Sequence, residues 1–129
     1  MATLEDVRQI CSALPGAVEG DGRFGFGVEV KGKVKGFVWT WMERVQPKKP
    51  RVENPNVLAI VTPGLGAKEV LMASDPERYV VDPHYNGFPA VLVRVADFKA
   101  DELRDLLEEA WRSKASKDLL VQYESGAPR

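Results

Sequence analysis

The sequence predicts an α+β fold, an antiparallel sheet with helices on one face, and three patterns support this prediction. Apolar residues recur at helical spacing near both ends of the chain, over residues 4–14 and 100–114. Between these segments, residues 24–41 alternate apolar with small or polar side chains about a turn at Gly32-Lys33, as the strands of a hairpin do. A second hairpin is indicated at Asn86-Gly87, a pair that two-residue turns favour. The predicted order of elements is α-β-β-β-α-β-β-α-α.

Helices are predicted where start and stop signals flank an apolar stripe. The first helix, residues 4–14, follows Thr3, a residue able to cap it, and ends at Pro15-Gly16. A short final helix is expected around residues 119–123, before a frayed tail at residues 126–129. The apolar side of the helix at 100–114 consists of Leu103, Leu106, Leu107, Ala110 and Trp111.

The first hairpin concentrates aromatic residues. A two-residue turn at Gly32-Lys33 sets Val28 opposite Phe37, Phe26 opposite Trp39 and Phe24 opposite Trp41, and a four-residue turn shifts these pairs by two. In either register the side chains alternate with period two, so the aromatic residues are expected on one face. Burial in the core is the favoured interpretation of that face, and a platform for stacking nucleic-acid bases is the alternative.

The middle of the chain is predicted to contain a long loop and four shorter elements. Residues 43–56 hold three prolines, which indicates an exposed loop rather than a regular element. A helix at residues 67–73 is expected to turn Val70 and Leu71 inward and to end before Asp75-Pro76. Strands are predicted at residues 57–62, 79–82 and 90–95.

Composition indicates one soluble domain, residues 1–129. The formal net charge is −1, so affinity for nucleic acid would require an uneven distribution of charge. The single cysteine, Cys11, excludes an internal disulfide and is expected to be a buried, unreactive thiol in a reducing compartment. Residues 1–6 lack the pattern of a signal peptide, and no apolar run approaches the roughly 20 residues that cross a bilayer. These features predict a cytoplasmic protein without a membrane partner.

No catalytic or metal-binding pattern is recognisable. His84 is the only histidine, which excludes a zinc site built on histidines, and a general base there would need an orienting partner. No serine has the Gly-x-Ser-x-Gly context of a nucleophile. The segment Gly64-Leu65-Gly66 lacks the spacing of a phosphate-binding loop. We therefore expect no enzyme activity, no cofactor and no metal ion.

Positive charge is concentrated in residues 31–51. Seven positive side chains there are opposed only by Glu43, a net charge of +6, so the rest of the chain carries −7. Lysines at a hairpin tip are common solubilising residues, and this interpretation competes with a phosphate-contacting patch. The candidate nucleic-acid-binding residues are Lys31, Lys33, Lys35, Arg44, Lys48, Lys49 and Arg51.

Short motifs along nearly the whole chain resemble the MmcQ/YjbR family of small bacterial proteins. They are Ala-Leu-Pro-Gly at 13–16, Gly-Phe-Val-Trp-Thr-Trp at 36–41 with Glu-Arg-Val at 43–45, Pro-Lys-Lys-Pro-Arg at 47–51, Asp-Pro-Glu-Arg-Tyr at 75–79, Pro-His-Tyr-Asn-Gly at 83–87 and Glu-Glu-Ala-Trp-Arg at 108–112. The resemblance implies an α+β fold similar to that of secretion chaperones and a DNA-binding role, and it names no catalytic residue. Some members of the family resemble His-Trp-Asn at the position where this chain has His84-Tyr85-Asn86. A family site would lie at that segment together with Trp111 and Arg112.

Three hypotheses of function follow. The first is a nucleic-acid-binding accessory protein, with DNA as the candidate partner, and it requires the basic side chains of residues 31–51 to converge on one accessible surface. The second is a protein-interaction or chaperone-like module, or a homodimer, with Trp39, Trp41 and Tyr79 as the partner surface. The third is an enzyme or small-ligand binder centred on His84, which requires a pocket at that residue.

Overall fold

The computed structural model describes residues 1–126, which form a six-stranded antiparallel sheet and four α-helices. The strands follow the order β1-β2-β3-β4-β6-β5 across the sheet. This architecture confirms the predicted α+β class, and strand β1 is an addition to the predicted order. The predicted frayed tail falls largely on residues 127–129, outside the described residues. The helices are α1 (Leu4–Ser12), α2 (Leu65–Ser74), α3 (Ala100–Lys114) and α4 (Lys117–Glu124). The strands are β1 (Ala17–Glu19), β2 (Gly25–Val30), β3 (Lys33–Glu43), β4 (Val52–Val61), β5 (Tyr79–Val80) and β6 (Ala90–Arg94).

Helix α1 begins where its capping signal predicts. The Thr3 hydroxyl accepts a hydrogen bond from the Asp6 N–H (3.2 Å), and the Asp6 carboxylate accepts one from the Thr3 N–H (3.0 Å). The apolar stripe of the helix turns Val7 and Cys11 into the core. Cys11 is fully buried, so the predicted buried thiol is confirmed. Burial raises the pKa of the thiol to about 12, in keeping with the expected low reactivity.

Helix α3 supplies much of the main core, which lies between the helices and one face of the sheet. Leu103, Leu107, Ala110 and Trp111 are fully buried there. The Trp111 indole N–H donates to the Pro15 carbonyl at 2.8 Å, so this large ring is buried without an unpaired donor. The predicted apolar side of this helix is confirmed.

The turn of the first hairpin lies one residue earlier than the predicted two-residue turn, so the partner of Val28 on β3 moves by two residues. Val30 pairs with Lys33, so the two-residue turn consists of Lys31 and Gly32. Both residues have positive φ angles, 53° and 79°, as a type I′ hairpin turn requires. The predicted pair of Val28 with Phe37 is wrong, because Val28 lies opposite Lys35.

A β-bulge at Phe37 separates the aromatic residues onto two faces of the sheet. Phe26 pairs with Val38 and the next residue of β2 pairs with Gly36, so Phe37 is an extra residue on β3. Phe26 and Phe37 pack in the main core, whereas Trp41 packs on the opposite face in a second cluster. The prediction of one aromatic face is wrong, because an extra residue reverses the alternation that follows it. The buried residues of the second cluster are Trp41, Val57, Ala59 and Leu92.

Strand β4 extends into the segment that was expected to be a loop. It begins at Val52, which leaves residues 44–51 as the loop, and Pro55 lies within the strand. The pairing with β3 is interrupted between Thr40 and Trp41. This interruption accommodates Pro55, which has no N–H to donate to a neighbouring strand.

The second predicted hairpin is a longer connection. Strands β5 and β6 pair as expected, but a 3₁₀ turn at Pro83–Tyr85 lies between them. Asn86 has a φ of −64° and Gly87 a φ of +78°, the geometry of a type II turn rather than the predicted type I′ turn.

Helix α2 is loosely attached to the sheet. It ends at Ser74, before Asp75-Pro76 as predicted, but none of its residues is fully buried. Leu71 is half-buried, whereas Val70 is 70% exposed, so the expectation that Val70 points inward is wrong. Across residues 1–126, no helix combines the length and apolar character that spanning a membrane requires.

Candidate functional site

The seven candidate nucleic-acid-binding residues fall into two groups at opposite ends of β3. The hairpin group, Lys31, Lys33 and Lys35, lies at the turn and at the start of β3. The loop group lies in residues 44–51, after the other end of the strand. A strand of 11 residues spans roughly 30 Å, so the basic window does not converge on one site. The loop group consists of Arg44, Lys48, Lys49 and Arg51.

The loop group borders an open cleft between residues 44–51 and residues 81–84. The cleft has a volume of about 710 Å³. Arg44 and Arg51 line it from the loop, His84 lines it from the other side, and Trp41 lies between them on β3. The structure thus brings together basic residues and a histidine that the sequence assigned to two different sites. The whole lining consists of Trp41, Glu43, Arg44, Val45, Pro47, Arg51, Val81, Asp82, Pro83 and His84.

Asp82 connects the two sides of this cleft. One carboxylate oxygen accepts hydrogen bonds from the Trp41 indole N–H (2.9 Å) and from the Arg51 guanidinium (3.1 Å). The other oxygen accepts the backbone N–H of His84 at 3.0 Å. Burial alone would raise the pKa of Asp82, but these three donors and the Arg51 charge outweigh it and hold the pKa below its ordinary value. Asp82 is therefore ionised at neutral pH and fixes Arg51 and residues 82–84 in place.

The two arginines keep donors available for a ligand. One terminal nitrogen of Arg51 bonds to the Met42 carbonyl (2.7 Å) and to Asp82, and one terminal nitrogen of Arg44 bonds to the carbonyls of Pro47 and Lys49. The remaining N–H groups of both side chains make no hydrogen bond with another residue of 1–126. Each guanidinium is thus positioned by the protein and still presents donors in the planar arrangement that suits phosphate or carboxylate oxygens.

His84 is exposed at the edge of the cleft. Its imidazole packs edge to face against Tyr85, with ring centroids 5.8 Å apart, and makes no hydrogen bond with the described residues. The carboxylate of Asp82 bonds to the backbone of His84 and not to its ring. No group therefore orients the ring as a catalytic base requires, and the residue is available as a contact for an anion. Within residues 1–126, no three His, Cys, Asp or Glu side chains are close enough to hold a metal ion.

The segment after His84 is fastened to the sheet by aromatic and polar contacts. The Trp39 indole N–H donates to the Tyr85 hydroxyl at 3.1 Å, and Phe88 packs edge to face against both rings. The Lys68 ammonium donates to the carbonyls of Tyr85 (2.6 Å) and Phe88 (2.9 Å), which ties the segment to α2. Burial lowers the pKa of Lys68. These contacts attach residues 85–88, which directly follow the cleft wall at 81–84, to β3 and α2.

The other residues to which the family resemblance pointed lie apart from this cleft. Asn86 is exposed in the turn that follows. Trp111 is fully buried in the main core, and Arg112 forms ion pairs with Glu108 (3.2 Å) and Glu124 (2.8 Å) on the helical side. Trp111 and Arg112 therefore do not form a site with His84, because the sheet separates them from it.

The partner surface that the second hypothesis required is also divided. Tyr79 packs in the main core against Phe98, whereas Trp41 is buried in the second cluster and Trp39 is half-buried between the two. These rings do not form one exposed patch. Sequence reasoning missed the roles of Trp41 and Asp82 in the cleft, although the Asp82-Pro83-His84 turn signal was visible.

Comparison with known proteins identifies similar sequences without a described function. No protein-family model matches the chain. The uncharacterized protein Rv2570 of Mycobacterium tuberculosis and the uncharacterized protein Mb2600 of Mycobacterium bovis are each 41% identical to it over 58 residues. This match covers 45% of the chain and 45% of each relative, less than half of their own length.

The fold is shared with a solved bacterial protein. The crystal structure of the Deinococcus radiodurans protein DR2400, with a DUF419 domain, is similar over 99% of this chain and 91% of that chain, with a TM-score of 0.64. The two sequences are 23% identical. The likeness therefore shows a common architecture.

Proposed function

We propose that the chain is a cytoplasmic, non-enzymatic accessory protein that binds nucleic acid through the loop group, and that it belongs to the MmcQ/YjbR-like family. The ordered motifs of the sequence and the fold shared with a DUF419 protein support the family assignment. The observation that carries the binding proposal is the cleft, where Arg44, Arg51 and His84 meet beside two exposed lysines of the same loop.

The loop provides charge as well as directed donors. Residues 44–51 contain four cationic side chains and no acidic one. Asp82 pairs with Arg51. Glu43, which also lines the cleft, accepts a hydrogen bond from the neutral Asn54 amide and keeps its negative charge, so Arg44, Lys48 and Lys49 leave a net excess of two positive charges. Phosphate contacts of this kind release counterions from the nucleic acid and weaken steeply with salt. Because Trp41 is 9% exposed, the cleft offers phosphate contacts rather than a stacking surface.

The hairpin group has a different role in this proposal. Its three lysines lie beyond the far end of β3 and are exposed. They do not line the cleft of the loop group, so we assign them to the solvated surface. This assignment provides a control with the same change of charge.

The proposal is tested by neutralising each group in turn. Fluorescence anisotropy with a labelled 20-nucleotide single strand and the matching duplex would be measured at 50 and 200 mM NaCl for the wild type, for Lys48→Ala/Lys49→Ala and for the control Lys33→Ala/Lys35→Ala. The loop variant is expected to lose about tenfold in affinity at 50 mM, and the slope of log K against log salt is expected to fall by about two. The control is expected to change affinity less than about twofold.

Three results would contradict the proposal. They are the absence of binding to both nucleic acids at low salt, an equal loss in the loop variant and the control, and a binding constant of the wild type that does not depend on salt. Circular dichroism of each variant distinguishes loss of contact from loss of structure.

A further inference from the structure

A second and separate cavity lies on the helical side of the sheet, between α2 and α3. This groove has a volume of about 580 Å³, within the range of small-molecule sites. Ile60 of β4 and Val91 of β6 form its floor, Leu71 lines it from α2 and Leu106 lines it from α3. The sheet separates it from the cleft of the proposed function, and the two share no lining residue.

Helix α2 has little apolar contact of its own with the sheet. Six of its ten residues are apolar, yet none is fully buried. Val70, which lines the groove, is 70% exposed. Apolar surface in this position is more favourable when it is covered, so an occupant of the groove would complete the packing of the helix.

Tyr79 contributes a polar side chain to the wall of the groove. Tyr79 is 5% exposed and lines the groove, and its hydroxyl has no hydrogen-bond partner among residues 1–126. The oxygen is not sealed off by other protein atoms, so the groove is the space from which a partner can reach it. Burial raises the pKa of Tyr79, which keeps the hydroxyl protonated at neutral pH. A hydroxyl that retains solvent access can bond to water or to a ligand, so Tyr79 offers the groove a polar contact as well as apolar surface.

Arg78 closes one end of the groove. Its guanidinium forms ion pairs with Asp75, after α2, and with Glu102, in the first turn of α3, both at 2.8 Å. It also stacks on the Phe98 ring at 4.2 Å. This bridge holds the end of α2 to the start of α3, and Asp75 and Glu102 neutralise the charge of the guanidinium. An anionic ligand therefore finds no free cation at this end.

The rim of the groove along α3 is acidic. Asp105 and Glu109 line it, are exposed and form no ion pair within residues 1–126. Together with Glu102, which Arg78 neutralises, they form one stripe along the helix, since residues three and four apart share a face. The charge at the rim is negative, while the floor and walls are apolar.

We propose that this groove binds a small amphiphilic cation, a molecule with an apolar aromatic or aliphatic body and a protonated amine. The body packs between α2 and α3 over Ile60 and Val91, the amine lies against Asp105 and Glu109, and the Tyr79 hydroxyl hydrogen-bonds to a polar group of the ligand. A second copy of the chain is a less suitable occupant. In a symmetric dimer through this surface, two acidic stripes would face each other.

The experiment compares three ligands of one shape and different charge. Methyl NMR of the protein would follow titration with 1-naphthylmethylamine, 1-naphthalenemethanol and 1-naphthaleneacetate at pH 7 and 20 mM NaCl. The amine is expected to shift the methyl signals of Val70, Leu71 and Leu106, with a dissociation constant on the order of 0.1–1 mM. 1-Naphthaleneacetate is expected to bind at least about tenfold more weakly than the amine, and 1-naphthalenemethanol is expected to have an intermediate affinity.

Matched variants test the role of the acidic rim. Asp105→Asn/Glu109→Gln is expected to weaken binding of the amine about two- to fivefold for each carboxylate removed and to leave the alcohol unchanged. The control Glu69→Gln/Asp118→Asn removes the same charge from exposed positions outside the groove and is expected to leave both ligands unchanged. Raising NaCl to 300 mM is expected to lower the affinity of the wild type for the amine and to leave its affinity for the alcohol unchanged.

The proposal is overturned if none of the three ligands shifts the groove signals, or if all three bind equally. It is also overturned if the control variant loses as much affinity for the amine as the rim variant does. These results do not depend on nucleic-acid binding, so they leave the proposed function of the cleft unaffected.

Discussion

The two faces of the sheet are stabilised in different ways. On the helical face, the main core buries an extensive set of apolar side chains and needs few directed contacts, such as the one from Trp111 to Pro15. On the opposite face, four buried residues form a small cluster, and hydrogen bonds from the indole N–H groups of Trp39 and Trp41 to Tyr85 and Asp82 complete it. Hydrophobic burial has no preferred direction, whereas hydrogen bonds fix particular atoms. The second face therefore positions polar groups accurately, and the candidate cleft lies at its end.

The largest expected effect is a difference in the loss of stability between substitutions on the two faces of the sheet. Trp111→Ala would leave a large cavity in the main core and is expected to lower the free energy of unfolding by about 3–5 kcal/mol. Trp41→Ala is the matched change on the second face, where fewer neighbours surround the ring, and a smaller loss is expected. Urea unfolding followed by circular dichroism would measure both. An equal or larger loss for Trp41→Ala would contradict this view of the two faces.

An intermediate effect is expected at the carboxylate that organises the cleft. Asp82→Asn replaces one of the two carboxylate oxygens by an NH₂ group. In either orientation of the amide, this NH₂ group faces donors that it cannot accept from, either those of Trp41 and Arg51 or the backbone N–H of His84. Hydrogen bonds to a charged acceptor are worth about 1.5–3 kcal/mol, and we expect a loss of about 2 kcal/mol in the free energy of unfolding at pH 7. Binding of nucleic acid is expected to weaken as well, because Arg51 loses its position.

The same substitution has a defined pH dependence. The folded pKa of Asp82 lies below its unfolded value, which is near 4. The stabilisation is therefore fully present above the unfolded pKa and is lost as pH falls through the folded pKa. The difference in stability between the wild type and Asp82→Asn is expected to be constant from pH 6 to 7 and to shrink below pH 4. A difference that grows on acidification would contradict this assignment.

The smallest effect concerns one hydroxyl. Tyr85→Phe removes the acceptor for the Trp39 indole N–H and is expected to cost about 1 kcal/mol, with a change in tryptophan fluorescence because Trp39 loses its partner. Tyr123→Phe provides the matched deletion on the helical side, where the hydroxyl bonds to Glu108. Its effect on the fluorescence of Trp39 is expected to be absent. If both variants changed that signal alike, the two faces would not be independent.

Local signals were sufficient for the helices at both ends of the chain. The Thr3 cap, the Pro15-Gly16 stop and the apolar stripe of α3 act within one or two turns of helix, so they can be recognised without a partner. The existence of the first hairpin followed in the same way from alternation and a glycine-containing turn. The burial of Cys11 could likewise be predicted from its place on an apolar stripe.

Contacts between distant segments set the remaining features. The bulge at Phe37 and the interruption opposite Pro55 depend on the partner strand, and each redirects the side chains that follow it. Arg51 and Asp82 are 31 residues apart in the sequence. Arg51 precedes β4 and Asp82 follows β5, and the pairing of both strands with β6 brings the two residues to one cleft. Strand β3 holds the hairpin group and the loop group apart. An extended strand separates residues in space even when they are close in the sequence.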